Sequence, residues 1–124
     1  MIEVNVIPYY MPERSIPEQD YYFYAYKVEI KNNTNNKVTL LRRIWKMRNG
    51  KQRQREVEGK GVVGKQPVIE PNNSFSYTSY YPLDTPTGNT RGQFLMEDEL
   101  GKRFYVDIPV TFFRLDSEVK GKAG

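Results

Sequence analysis

The chain has 124 residues, 38% hydrophobic and 27% charged, the composition of one folded domain with its own core and not of a disordered segment. It contains no cysteine and no histidine, which excludes disulfide stapling, thiolate or imidazole metal ligation, and any nucleophile activated by a histidine base. The formal charge of +4 is local: Arg42 to Glu56 holds seven basic residues and one acid, whereas the rest of the chain holds twelve basic and fourteen acidic residues.

In the opening "MIEVNVIPYY", Ile2, Val4 and Val6 alternate with Glu3 and Asn5, the period of a strand. The same stretch lacks the basic and apolar regions of a signal peptide, and no apolar run approaches the ~20 residues that span a bilayer, so no membrane association and a cytoplasmic address are expected. "MPERSIPEQD" reads as an irregular crossing between strands. In "YYFYAYKVEIKN", Tyr26, Val28 and Ile30 alternate with Lys27, Glu29 and Lys31. "NNTNN", "PNNS", "TPTGN" and "ELG" supply turns. In "RFYVDIPVTFF", Phe104, Val106, Ile108, Val110 and Phe112 are expected on one face, and Pro109 makes that strand an edge or a bulged one. No window carries a helical period with caps. The pattern predicts an all-β antiparallel sandwich or barrel over residues 1–115, with a mobile tail over 116–124.

The basic stretch "RRIWKMRNGKQRQREVE" contains Asn49–Gly50, the strongest short-range hairpin signal. A two-residue turn there pairs Arg48 with Lys51, Lys46 with Arg53, Ile44 with Arg55 and Arg43 with Glu56. Lys46, Arg48, Lys51, Arg53 and Arg55 then share one face, with Leu41, Trp45 and Met47 on the core side. Arg43 falls on the core side too, so Glu56 is its expected ion-pair partner. The basic face is either a solvated surface or a docking surface for an acidic protein, a phosphate or nucleic acid. It offers no aromatic rings on which bases could stack, so an acidic protein is the preferred partner and nucleic acid the less favoured one. A homo-oligomer stays open.

"VEGKGVVGKQP" places Gly59, Gly61 and Gly64 at the G-x-G-x-x-G spacing of a dinucleotide-binding turn. That turn works by leading a strand into a helix whose N-terminus faces a pyrophosphate. Here Val62, Val63, Pro67 and Pro71 leave no room for a helix, and Lys65 is not followed by the Ser or Thr of a P-loop. The glycines are expected to serve a bulged crossing by positive φ or close approach, and no nucleotide or other cofactor is expected.

The densest acidic cluster, Glu97, Asp98 and Glu99, could hold a hard cation weakly through oxygen, but neighbouring strand residues point to opposite faces and no metal site is assigned. Tyr9, Tyr10, Tyr80 and Tyr81 are expected near strand ends or loops, as interface anchors or as edge packing. No catalytic residue emerges, and an enzyme built on carboxylates and tyrosines is the least favoured reading.

The words "RRIWKM", "GKGVVGKQP" and "IEPNNSFSYTS" together resemble the ApaG family along nearly the whole chain. Arg43 and Trp45 match its Arg-x-Trp pair, Gly59 to Pro67 its glycine word, and Phe75, Tyr77 and Ser79 its aromatic strand. Gly88, Gly92 and Ile108–Pro109 fit the later part. The chain departs from the family pattern at Asn72, where glycine is usual, and at Thr90, where methionine is usual. The resemblance implies an immunoglobulin-like sandwich of the fibronectin type III kind and a link to cobalt resistance and magnesium efflux without an assigned mechanism. Related domains in larger eukaryotic proteins, including an F-box protein, look like interaction modules. The resemblance assigns no catalytic residues.

Overall fold

Alternating apolar and polar side chains give an extended backbone one dry and one wet face, and two such sheets bury their dry faces against each other. The computed structural model describes residues 1–117. In chain order the strands are β1 (Ile2–Tyr10), β2 (Tyr22–Asn32), β3 (Val38–Asn49), β4 (Gln54–Lys60), β5 (Val68–Ile69), β6 (Ser74–Leu83), β7 (Gly88–Asp98) and β8 (Arg103–Phe113). One antiparallel sheet has the order β1-β2-β6; the other has the order β4-β3-β7-β8, with the short β5 against the start of β3. This is the expected immunoglobulin-like sandwich. The "MPERSIPEQD" crossing consists of two single 3₁₀ turns, Pro12–Arg14 and Pro17–Gln19, each opened by a proline at its first position.

Aromatic rings join the sheets. Phe113 of β8 lies 5.3 Å from Tyr24, 6.0 Å from Tyr26 and 5.1 Å from Tyr81, ring centre to ring centre and edge-on in each case. Trp45 of β3 lies 5.4 Å from Tyr26 and 6.3 Å from Phe94. Edge-to-face contacts of this kind add about 0.5–1.5 kcal/mol each beyond the area they bury.

Two bulges change the expected faces. One lies between Leu40 and Arg42, so Leu40 takes the buried position and Leu41 is left half-buried. The other lies where Pro109 and Val110 oppose Arg91. It rotates the end of β8, sending Thr111 and Phe113 into the core and leaving Val110 and Phe112 exposed. The five-residue apolar face expected along β8 therefore ends at Ile108. The proline itself is where it must be, on an edge strand and at a bulge.

Asn72 adopts φ 66°, so asparagine supplies the left-handed position of the "PNNS" turn. Beside it Asn32 is fully buried and fully used. Its Nδ2 donates to the carbonyls of Asn36 and Ile69, and its Oδ1 accepts from the backbone and hydroxyl of Thr34. Residues 114–117 close a turn, with the Arg114 N–H donating to Ser117 Oγ. The rest of the tail expected to be mobile, residues 118–124, lies outside the described residues.

The two long sides of the sandwich differ. β1 packs against β8, which closes one side, whereas no comparable contact joins β4 to β6. The side between β4 and β6 is open.

Phe113→Ala should destabilise the domain by about 3–5 kcal/mol, because it empties the centre of the aromatic cluster. Phe112→Ala, one residue away but outside the core, should change stability by about 0.5 kcal/mol or less. Chemical denaturation of the two variants checks both values, and equal effects would reject the rotation of β8.

Candidate functional site

The basic hairpin forms, but not in the expected register. β3 and β4 pair Arg48 with Gln54, Met47 with Arg55, Lys46 with Glu56, Trp45 with Val57 and Arg43 with Gly59. The turn is longer because Asn49 belongs to the strand. Its backbone N–H donates to the Arg53 carbonyl, its Oδ1 accepts from the N–H groups of Lys51 and Arg53, and its Nδ2 donates to Asp84. Gln52, not Gly50, takes the left-handed position at φ 65°. The Gly50 N–H donates to the Thr85 hydroxyl, so the connection between β6 and β7 holds this turn in place.

The shift is odd, so it turns β4 over. The expected register opposes like charges, Lys46 to Arg53 and Arg48 to Lys51, which is unfavourable by up to about 1 kcal/mol per pair. The observed one sets Lys46 across from Glu56, and Arg42 reaches Glu58 at 3.3 Å. The single basic face therefore does not exist. Lys46 and Arg48 stand on the outer face with Glu56 and Glu58, Lys51 sits in the turn, and Arg53 and Arg55 flank the inner side. The expected Arg43–Glu56 pair is likewise replaced, since Glu56 faces outward.

Arg43 instead explains the glycine word. Its guanidinium donates to the carbonyls of Gly61, at 2.9 Å, and Lys60, at 3.2 Å. It lies so close over Gly59 that a Cβ there would sit 2.8 Å from the guanidinium. Gly61 has φ 63° and no room at all, because a Cβ would come within 1.9 Å of the Lys65 carbonyl oxygen. Gly64, at φ 78°, closes a two-residue turn with Val63, which is itself left-handed at φ 43°. Val62 and Lys65 exchange N–H to carbonyl bonds across that turn, and the Gly61 N–H donates to Leu41. Three amides that a phosphate would need are thus bound within the chain, and no helix follows.

Along the open side the inner faces of β3, β4 and β6 and the Val62–Gly64 turn enclose a groove. Its deeper part, about 330 Å³, has Tyr26, Trp45 and Tyr77 as floor and Arg43, Arg55 and Val63 around it. A second part of about 280 Å³ continues past Met47 and Tyr81 to Arg53 and Asp84. The Tyr77 hydroxyl is buried here without a hydrogen-bond partner among the described residues. Burial pushes its phenol well above the ordinary value, and nearby Arg43 and Trp45 oppose that only in part. Burial also raises Tyr81, to about 12, against the opposing charge of Arg55. The Tyr81 hydroxyl donates to the Arg48 carbonyl at 3.2 Å.

The acidic cluster divides among separate tasks. Glu97 pairs with Arg103 at 2.9 Å, Asp98 accepts from the N–H groups of Leu100 and Lys102, and Glu99 accepts from the N–H of Lys37. Among the described residues no three acidic, histidine or cysteine side chains converge on one point. The four singled-out tyrosines do lie towards strand ends, Tyr9 and Tyr10 closing β1 and Tyr80 and Tyr81 within the last four residues of β6, but most are edge or core packing. Tyr10 packs on Tyr24 at 5.2 Å, Tyr9 is half-buried and Tyr81 is core, which leaves only Tyr80 exposed.

Comparison with known proteins agrees with the geometry. The sequence profile of the ApaG domain matches residues 12–98. The chain belongs to the ApaG family. "Protein ApaG" of Methylocella silvestris is 46% identical over 116 residues, 94% of this chain and 88% of that protein. "Protein ApaG" of Agrobacterium fabrum is 47% identical over the same shares. The crystal structure of a Bordetella pertussis protein named ApaA superposes with a TM-score of 0.92 at 39% identity, covering 94% of each chain. The family words found in the sequence are thus one structural unit, in which Arg43 and Trp45 stand on β3 against the glycine loop.

The glycines should differ sharply on replacement. Gly64→Ala, strained only through φ, should lose about 1 kcal/mol, and Gly61→Ala, which also meets a carbonyl, should lose several times more. Val63→Asn should raise the melting temperature slightly, because asparagine tolerates the left-handed region better than a β-branched residue. Thermal melts of the three variants check the ranking.

Alkali should unfold the protein. Burial raises the phenols of Tyr24, Tyr26, Tyr77 and Tyr81, and the protonated phenol is the neutral form. Their stabilising effect is complete below the unfolded value of about 10 and is lost as pH rises through the higher folded values. Tyrosinate absorbance should therefore rise in two stages, exposed rings first and buried rings together with the loss of near-ultraviolet circular dichroism.

Proposed function

We propose that this chain is a non-catalytic binding module that docks an acidic segment of a partner protein in the groove between β4 and β6. The observation that supports it is Arg55. It stands exposed beside the aromatic floor, with Arg53 near it, and has no carboxylate partner among the described residues. Its guanidinium reaches the Met47 sulfur at 3.9 Å. A guanidinium with free donors next to buried rings favours a carboxylate together with apolar side chains, since water is partly excluded there. On the outer face Lys46 lies between Glu56 of β4 and Arg91 of β7, and Arg42 pairs with Glu58, so the basic groups there stand among carboxylates. The family's link to cobalt resistance and magnesium efflux, implied by the sequence resemblance, would then act through the partner, in the cytoplasm. Among the described residues no helix is long and apolar enough to cross a membrane.

A small anion is the second reading, motivated by the unpartnered Tyr77 hydroxyl in the same groove. Reversing Arg53 and Arg55 to glutamate should reduce capture of acidic partners by about tenfold or more and weaken its salt dependence. Reversing Lys46 and Arg48 should leave capture unchanged. Equal effects of the two double variants would reject the groove. A saturable thermal shift with inorganic phosphate or pyrophosphate, lost in Arg55→Glu, would favour the small anion.

A further inference from the structure

A sandwich with two open sheets has four edge strands, and here three are protected. β1 and β8 face each other, and β8 also carries Pro109 and a bulge. β4 carries Arg55, Glu56, Glu58 and Lys60 within seven residues. Charges, prolines and bulges are the usual means of keeping a foreign strand off an edge. β6, "SFSYTSYYPL", has ten residues, no charge and no bulge, and its one proline lies near its end.

The direction of its unpaired groups follows from the register. The Asn32 N–H donates to the Asn73 carbonyl at 3.0 Å, and the pairing runs without interruption from Lys31↔Ser74 to Tyr22↔Leu83. In an antiparallel ladder bonded residues alternate. Phe75, Tyr77, Ser79 and Tyr81 therefore point their N–H and C=O groups at β2, while Ser76, Thr78 and Tyr80 point theirs at the open side. The two prolines agree with this assignment. Pro82 falls in the outward phase, and Pro8 lies opposite Tyr26, whose backbone faces Ser79 on the other side.

Cations stand on both faces of that edge. Arg55 and Arg53 line the inner groove. On the outer face the Arg14 guanidinium lies 4.1 Å from the centre of the Phe23 ring and 5.4 Å from that of Tyr80.

We propose that the partner's acidic segment binds as an added β-strand on β6, bonding through the backbone of Ser76, Thr78 and Tyr80. Its alternate side chains meet Arg55 and the aromatic floor inside and Arg14 with Tyr80 outside. The proposal rests on the acidic-partner reading and adds the mode of recognition: ladder bonds supply affinity, and the flanking arginines select the charge of the strand. The same charges disfavour a second copy, because pairing β6 with β6 would bring two sets of arginines to one shared edge.

The probe is a capped synthetic peptide of about eight alternating valine and glutamate residues, a usual strand length, added to the full chain. Backbone amide spectra should show the Ser76, Thr78 and Tyr80 amides shifting and becoming protected from solvent exchange. N-methylation of the peptide at every second residue in one phase should weaken binding by about tenfold or more, since it removes ladder bonds, and in the other phase should leave it intact. A peptide with lysine in place of glutamate should bind about tenfold more weakly or not at all. Thr78→Pro, which repeats the outward phase of Pro82, should reduce binding to the same degree; the methylated peptides give the answer even if that variant fails to fold. Binding that needs Arg55 but is indifferent to methylation in either phase would overturn strand addition and leave the acidic-partner reading standing. No binding by the glutamate peptide would overturn both. Protection of the three amides on self-association without peptide would put a second copy in the partner's place and overturn the proposal.

Discussion

The spacing of the two sheets is set by rings. Phe113 touches Tyr24, Tyr26 and Tyr81 at once, and Trp45 bridges Tyr26 and Phe94, so five of the strands meet in one aromatic contact set. Large flat side chains hold the sheets at a distance that aliphatic residues alone would not define so narrowly. On the β1–β8 side that distance is bridged by strand packing. On the other side the gap is left unfilled, because β4 stops short and turns into the glycine loop. The groove follows from the same packing that stabilises the core, and its floor is made of core residues.

Local signals in the sequence carried the strands a long way. Alternation in β1, β2 and the first half of β8 gives the right faces, and Pro109 marks the edge and bulge it causes. The misread parts have a common origin in contacts between residues far apart in the chain. The Asn49–Gly50 pair looks like a two-residue turn, but Asn49 is held by Asp84 and Gly50 by Thr85, both beyond β6. The bulges at Leu41 and Pro109 each insert one residue and change the phase of the strand there, so that Val38 and Leu40 are the buried residues before the first and Thr111 and Phe113 those after the second. The groove has the same origin. Arg55 and Tyr77 belong to strands in different sheets, and nothing local to either announces that they will line one space.

The glycine word shows how a ligand-binding spacing can arise for reasons internal to a fold. Gly59 makes room for a guanidinium, Gly61 for a carbonyl, and Gly64 supplies a backbone angle. These are three different demands met by the same residue type. Val63 is the exception in the loop, a β-branched residue at positive φ with half its surface in water. Such strain survives only where the surroundings impose it, and here the exchange of bonds between Val62 and Lys65 does so. The strained residue stands at the mouth of the groove.

Trp45 has a consequence of another kind. It is the only tryptophan in the chain, it is 2% exposed, and it forms part of the groove floor. The chain has ten tyrosines; the Tyr26 ring lies 5.4 Å from the indole, and Tyr26, Tyr24 and Tyr81 are linked to one another through Phe113. Light absorbed anywhere in that set is funnelled to one indole, whose emission colour and lifetime depend on the water and charge next to it. The protein therefore carries its own optical gauge, unlabelled and single-valued, for whatever enters the space between its sheets.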